Sequence, residues 1–176
     1  MKAMAPQAPA ESEEIVGLVV ARVGHCYETH RLCCSESISY VLSQAFGSGL
    51  SGRDALQLGA GFCHGMGGAG CSCGALTGAV VMLSRYLGPH GSTGLAKKKF
   101  QQTIREMHDL FRQRFRATCC RVLSKKVAAA GKERRFSCRE LTEGGAEIAG
   151  RLLLAARPEL LAEADLGFLG NRDLRL

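Results

Sequence analysis

The sequence predicts an all-α fold, a single domain of five or six helices around a glycine- and cysteine-rich loop. Three observations point there. Apolar residues recur at spacings of three and four in several segments, the period of an amphipathic helix. No segment alternates apolar and polar residues in the two-residue period of a half-buried strand. Glycine and Gly-Pro breaks fall where the helical stripes stop.

Residues 1–11 read as a disordered tail. Ser12 is an N-cap in pattern, with Glu13 and Glu14 in a first turn whose dipole favours anions. Ile15, Leu18, Val19, Arg22, Val23 and Cys26 then form one stripe. A second helix runs from near Cys33 to Phe46. Cys34, Ile38, Val41, Leu42, Ala45 and Phe46 lie on its apolar face, and Gly47 follows as its C′ residue. Gly49 and Gly52 prolong the break, and Arg53 to Leu58 fits a short turn of helix. Residues 59–74, GAGFCHGMGGAGCSCG, are a glycine-rich loop. Helix resumes from Ala75 to Tyr86 and stops at Gly88-Pro89. Leu95 to about Ala130 is the longest periodic stretch. Phe100, Ile104, Met107, Phe111, Phe115, Thr118 and Val122 step along it, and Gly131 ends it. A last helix runs from about Arg139 to Ala156, ahead of Pro158. Residues 12–157 therefore form the domain, and 158–176 a C-terminal tail of weak helical pattern. No internal repeat is visible.

Composition narrows the function. The chain has 176 residues, a net charge of +7, 46% hydrophobic residues and no tryptophan. It is too apolar for a disordered chain. Its nine cysteines cannot all pair within one chain, because nine is odd. The opening MKAMAPQAPAESEE shows no apolar signal core, so a reducing cytoplasm is the expected compartment. Clustered cysteines there point to metal or redox chemistry. Residues 55–84 carry no charge, but eight of them are glycine, so no membrane span is expected. Residues 97–139 hold 14 Lys or Arg against three acids. That charge fits a solvated helix face, or a set of cations (Arg116, Arg121, Lys125, Lys126) around Cys119 and Cys120. It comes without stacking aromatics or a DNA-binding motif, so nucleic acid is not an expected partner.

The loop contains a formal GxGxxG from Gly65 to Gly70. No strand precedes it and no acid follows about 20 residues on, so it is not read as a dinucleotide site. Its chemistry lies in Cys63, Cys71 and Cys73, with His64 beside the first. Cys71-Ser72-Cys73 opens a helix, where free amides favour a thiolate and can hydrogen-bond cluster sulfides. Cys33-Cys34 and Cys119-Cys120 are vicinal pairs. Helical neighbours point about 100° apart, so one functional cysteine is expected from each. Cys138 begins the last helix, another position that lowers a thiol pKa. Cys26 belongs to the core stripe. The C-x-C and C-x7-C spacings are not the usual zinc knuckles. Their dispersal fits an iron–sulfur cluster held from four helices or loops better. No C-x-x-C-H is present, so covalent haem is not expected.

Cys33-Cys34-Ser35-Glu36-Ser37, the segment GFCHGMGGAGCSCGALTGAVVMLSRYLG (Gly61 to Gly88), Cys120-Arg121-Val122-Leu123 and Cys138 together resemble the C-GCAxxG-C-C family of redox-active proteins. That family is similar to the iron–sulfur part of split-Soret cytochromes, whose haem sites this chain lacks. The resemblance places the family's four cysteines on Cys34, Cys73 (in Cys73-Gly74-Ala75-Leu76-Thr77-Gly78), Cys120 and Cys138. Cys63 and Cys71 resemble extra cysteines of some members and are secondary metal candidates. The doubled cysteines leave Cys33 against Cys34, and Cys119 against Cys120, open. The resemblance implies an all-α domain that binds a [2Fe–2S] or [4Fe–4S] cluster or uses thiols in redox exchange. The expected role is electron transfer or redox sensing with a redox protein partner, and Gly70, Gly74 and Gly78 are expected beside the cofactor. Two alternatives stand beside it. One is a thiol–disulfide oxidoreductase using Cys71 or Cys73, and the other is a zinc-stabilised module that binds an acidic partner through residues 97–139. A homodimer is compatible with each reading.

Overall fold

The structure is a computed structural model and describes residues 10–128 and 136–174. The described residues form ten helical segments and no strand. In chain order they are α1 (Ala10–Thr29), α2 (Cys34–Ala45), α3 (Gly52–Ala60), α4 (Cys63–Met66), α5 (Gly74–Leu87), α6 (Lys97–Phe115), α7 (Cys120–Ala128), α8 (Cys138–Ala156), α9 (Leu160–Glu163) and α10 (Leu166–Gly170). The all-α class is as expected; the count of five or six is too low. The extra elements are mostly one or two turns long, too short for an apolar stripe to repeat. The expected tail at 1–11 lies outside the described residues up to residue 9, and α1 already includes Ala10 and Glu11.

The long basic stretch also divides. Arg116 adopts a left-handed conformation (φ 64°) and its N–H bonds the Arg112 carbonyl at 2.8 Å, which closes α6. Thr118 and Cys119 then run outside helix, and α7 begins at Cys120. Apolar periodicity did not reveal this break, because Phe115 and Val122 keep an i, i+7 spacing across it.

Helices α1, α2, α5 and α8 pack on one another as the central bundle, and α6 covers α5 and α8. The shared core takes Val19, Val23 and Cys26 from α1, Ile38 and Leu42 from α2, and Ala79, Met82 and Leu83 from α5. Phe111 and Phe115 of α6 and Leu153 of α8 complete it. Each large apolar side chain buried there contributes roughly 1.5–3 kcal/mol. Leu160, Phe168 and Leu169, from the stretch after Pro158, are buried in the same core.

Helix α2 is central. Nine of its twelve residues are buried, including Ser35, Ser37, Ser39 and Ser43. Serine lets neighbours approach closely while its hydroxyl finds a local acceptor: Ser35 Oγ donates to the Gly59 carbonyl at 2.8 Å. Helix α5 comes as near as α3. A Cβ on Gly78 would lie 2.8 Å from Ser35 Cα and 2.9 Å from Ser35 O, so glycine sets the spacing between these two helices.

Candidate metal centre

Four cysteines stand at the beginnings of four helices. Cys34, Cys120 and Cys138 are the first residues of α2, α7 and α8, and Cys73 is the N-cap of α5. Local sequence fixes two of them, at α8 and α2. At α8, Ser137 Oγ accepts the Glu140 N–H at 3.2 Å, and the Glu140 carboxylate accepts the Ser137 N–H at 2.5 Å, a reciprocal capping box. At α2, Glu36 accepts the Cys33 N–H at 2.9 Å. Cys73 and Cys120 are held together by backbone pairing of two short extended segments. Cys73 N–H donates to Thr118 O at 2.8 Å, Cys120 N–H to Cys71 O at 2.6 Å, and Arg121 N–H to Gly70 O at 3.0 Å. Ser72 and Cys119 form the bridge at its centre.

These helix starts converge. Cys34, Cys73, Cys120 and Cys138 all line one cavity of about 290 Å³, with Tyr27, Arg31 and His64 at its polar edge and Leu32, Leu123 and Leu141 among its apolar walls. A water occupies about 30 Å³ in the liquid, so the space exceeds what a single small ion needs. The positive ends of four helices favour negative charge inside it.

The protonation of these thiols departs from the sequence expectation. A helix start predicts a lowered pKa at Cys73 and Cys138, yet both are raised. Burial is the larger effect. It pushes Cys73, only 4% exposed, up to about 12 against the pull of the Ala75 and Leu76 N–H groups. Cys34 rises to about 11 for the same reason, opposed by the backbone N–H groups of Ser35 and His64. Cys138 is raised by burial and by Cys120, and Tyr27 lowers it through a side-chain hydrogen bond. Cys34 and Cys73 each feel Cys120, and Cys34 also feels Cys138. Metal-free, Cys34, Cys73 and Cys138 are therefore protonated at neutral pH; four thiolates together would need a cation among them.

The remaining cysteines have other surroundings or partners. Cys63 is joined to Cys33 in a disulfide with a Cα–Cα distance of 5.7 Å. Both Cys33 and Cys34 line the cavity, but Cys33 has a covalent partner, and Cys34 is the member of its pair with a free thiol there. Cys71 is exposed and does not line it. Cys119 turns its Sγ to the Gly70 carbonyl at 3.1 Å. Cys26 is fully buried in the core, with its thiol pKa raised by burial. The glycines meet protein atoms. A Cβ on Gly74 would lie 2.4 Å from Cys34 Sγ, one on Gly70 would lie 3.0 Å from Arg121 Cβ, and Gly78 meets Ser35. Arg116, Arg121 and Lys125 are exposed, while the side chain of Lys126 lies outside the described residues. The cation that lines the cavity is Arg31, which the sequence did not single out, as it did not single out Tyr27.

A family model described as "Putative redox-active protein (C_GCAxxG_C_C)" matches residues 32–152, a span that holds all four cavity cysteines. The chain belongs to this family. No curated protein and no solved structure matches the chain. The C_GCAxxG_C_C match covers α2 through most of α8, the elements that supply the four cysteines. No helix among the described residues is long and apolar enough to cross a membrane.

Proposed function

We propose that this redox-active, cysteine-rich protein binds an iron–sulfur cluster through Cys34, Cys73, Cys120 and Cys138 and serves electron transfer or redox sensing. The observation that carries the reading is the convergence of four thiols, each from a different helix start, on one cavity. Their donor chemistry fits such a group, since thiolates are the usual iron–sulfur ligands. Their spacing fits it better than a single zinc ion. Tetrahedral zinc at about 2.3 Å from each sulfur brings the sulfurs within roughly 4 Å of one another. Among the described residues, the three-residue group whose ligand atoms lie within 4.8 Å is Cys33, Glu36 and Cys63, not any three of the cavity cysteines.

When bound, the cluster supplies one-electron transfer. The chain's own residues stabilise its thiolate ligands. Ser35 and His64 N–H groups face Cys34, Ala75 and Leu76 N–H groups face Cys73, and the Tyr27 hydroxyl donates to Cys138. Arg31 adds positive charge at the edge. Cys34, Cys120 and Cys138 are only half-buried, so a redox partner protein can approach the site. The reading places the protein in a reducing compartment, where these thiols stay available for metal. The raised pKa of Cys73 weighs against the alternative in which that thiol is the nucleophile of an oxidoreductase.

The test is preparation without oxygen, with iron and sulfide counted per chain and the reduced protein examined by EPR. Matching iron and sulfide with a cluster signal is the expected result. A chain that stays free of iron after reconstitution refutes the proposal.

A further inference from the structure

A second group of ligands lies at the cavity wall, where Cys33 is a lining residue. The ligand atoms of Cys33, Cys63 and Glu36 are all within 4.8 Å of one another, and all three residues are half-buried. Cys33 and Cys63 are 30 residues apart, so tertiary packing brings them together. Contacts other than the disulfide hold the same packing. Helix α3 lies against α2 so closely that a Cβ on Gly59 would sit 2.9 Å from the Glu36 backbone, and Ser35 Oγ ties α2 to Gly59 O. The same hydroxyl lies 3.2 Å from Cys33 Sγ and 3.7 Å from Cys63 Sγ. The bond from Cys33 N–H to Glu36 Oε2, 2.9 Å, fixes the carboxylate at this place.

We propose that Cys33, Cys63 and Glu36 form a redox-gated metal site, closed as a disulfide and open, when reduced, to a thiophilic divalent cation of the zinc class. Two sulfurs and one carboxylate oxygen are a donor set zinc accepts, and its bond lengths of about 2.0–2.3 Å require ligand atoms this close. Glu36 is what separates this site from a plain exchange disulfide. Beside two free thiolates a carboxylate adds a third like charge, and a cation relieves all three. The electrons come from an external dithiol. One of its thiolates attacks a sulfur of the Cys33–Cys63 bond and releases the other as thiolate. Its second thiol then displaces the mixed disulfide and leaves as a cyclic disulfide. Two electrons and two protons have passed to Cys33 and Cys63. Binding of the divalent cation then releases those two protons to solvent. The site adjoins the four-cysteine cavity, which Cys33 itself lines together with Cys34 and His64, but does not require that cavity to hold a cluster.

The experiment is a zinc titration of the full chain against a chromophoric chelator, in disulfide and phosphine-reduced forms, with peptide mapping of the Cys33–Cys63 cross-link. Reduction is expected to add one equivalent of bound zinc. Cys63→Ser removes that equivalent, and Glu36→Gln, which keeps the helix cap, weakens it about tenfold or more. Cys34→Ser, directed at the other site, leaves it in place. Failure of the four-cysteine reading would instead show in iron content, which this titration does not measure. Equal zinc in both forms, an added equivalent that survives Cys63→Ser, or oxidised protein without the cross-linked peptide overturns the proposal.

Discussion

Gly78→Ala is the substitution for which local and tertiary physics predict opposite signs. In an isolated helix, alanine is better than glycine by about 1 kcal/mol. Here the added Cβ would sit 2.8 Å from Ser35 Cα and 2.9 Å from Ser35 O. Both atoms belong to the backbone of a central, buried helix, so no side chain can swing aside. Helix α5 must move away from α2 by several tenths of an ångström. Overpacking of this kind costs about 1–3 kcal/mol, which offsets the propensity gain and more. The expected net loss is about 1 kcal/mol, or roughly 2–4 °C in Tm for a chain of this size. The same displacement separates Cys34, on α2, from Cys73, at the start of α5, so affinity for iron falls with stability. Urea unfolding and iron content of wild type and variant, measured together, provide the assay. A variant that is more stable by the propensity difference, with unchanged iron, refutes the close packing of α2 on α5.

Three further outcomes follow from the site. Metal-free protein loses stability as pH rises from about 9 toward 12. Cys34 and Cys73 ionise near 9 when unfolded but only near 11 and 12 when folded, so the folded state holds more protons across that window. Urea midpoints at about pH 8 and pH 10 check this, and Cys73→Ala should flatten the fall. Tyr27→Phe removes the hydrogen bond to Cys138, leaves iron stoichiometry unchanged and lowers the reduction potential of the loaded protein; an unchanged potential in a redox titration would contradict it. Ser137→Ala breaks the capping box at α8 and costs about 1 kcal/mol in thermal unfolding.

The sequence showed the long helices, because α1, α2, α5 and α8 each repeat an apolar stripe over three turns or more. It also pointed to Cys34, Cys73, Cys120 and Cys138, four of the five cysteines that line the cavity, through motif order rather than local pattern, with the choice within each vicinal pair left open. Two kinds of feature escaped it. The break between α6 and α7 opens at a left-handed Arg116, a residue type that gives no turn signal. The burial of α2 on nearly every side depends on serines, which read as a polar face until the partners of Ser35, Ser37 and Ser43 are known. The helix-start argument for low thiol pKa named a real effect but not its rival, because desolvation depends on tertiary burial. The Cys33–Cys63 contact joins two segments through packing that no spacing encodes.

The most direct test of the four-cysteine centre is iron bound per chain after anaerobic reconstitution, measured across single cysteine substitutions. Cys34→Ser, Cys73→Ser, Cys120→Ser and Cys138→Ser should each lose the cluster and its visible absorption, while Cys71→Ser and Cys119→Ser retain both. Full iron retained in any two of the first four would contradict a site built from those residues.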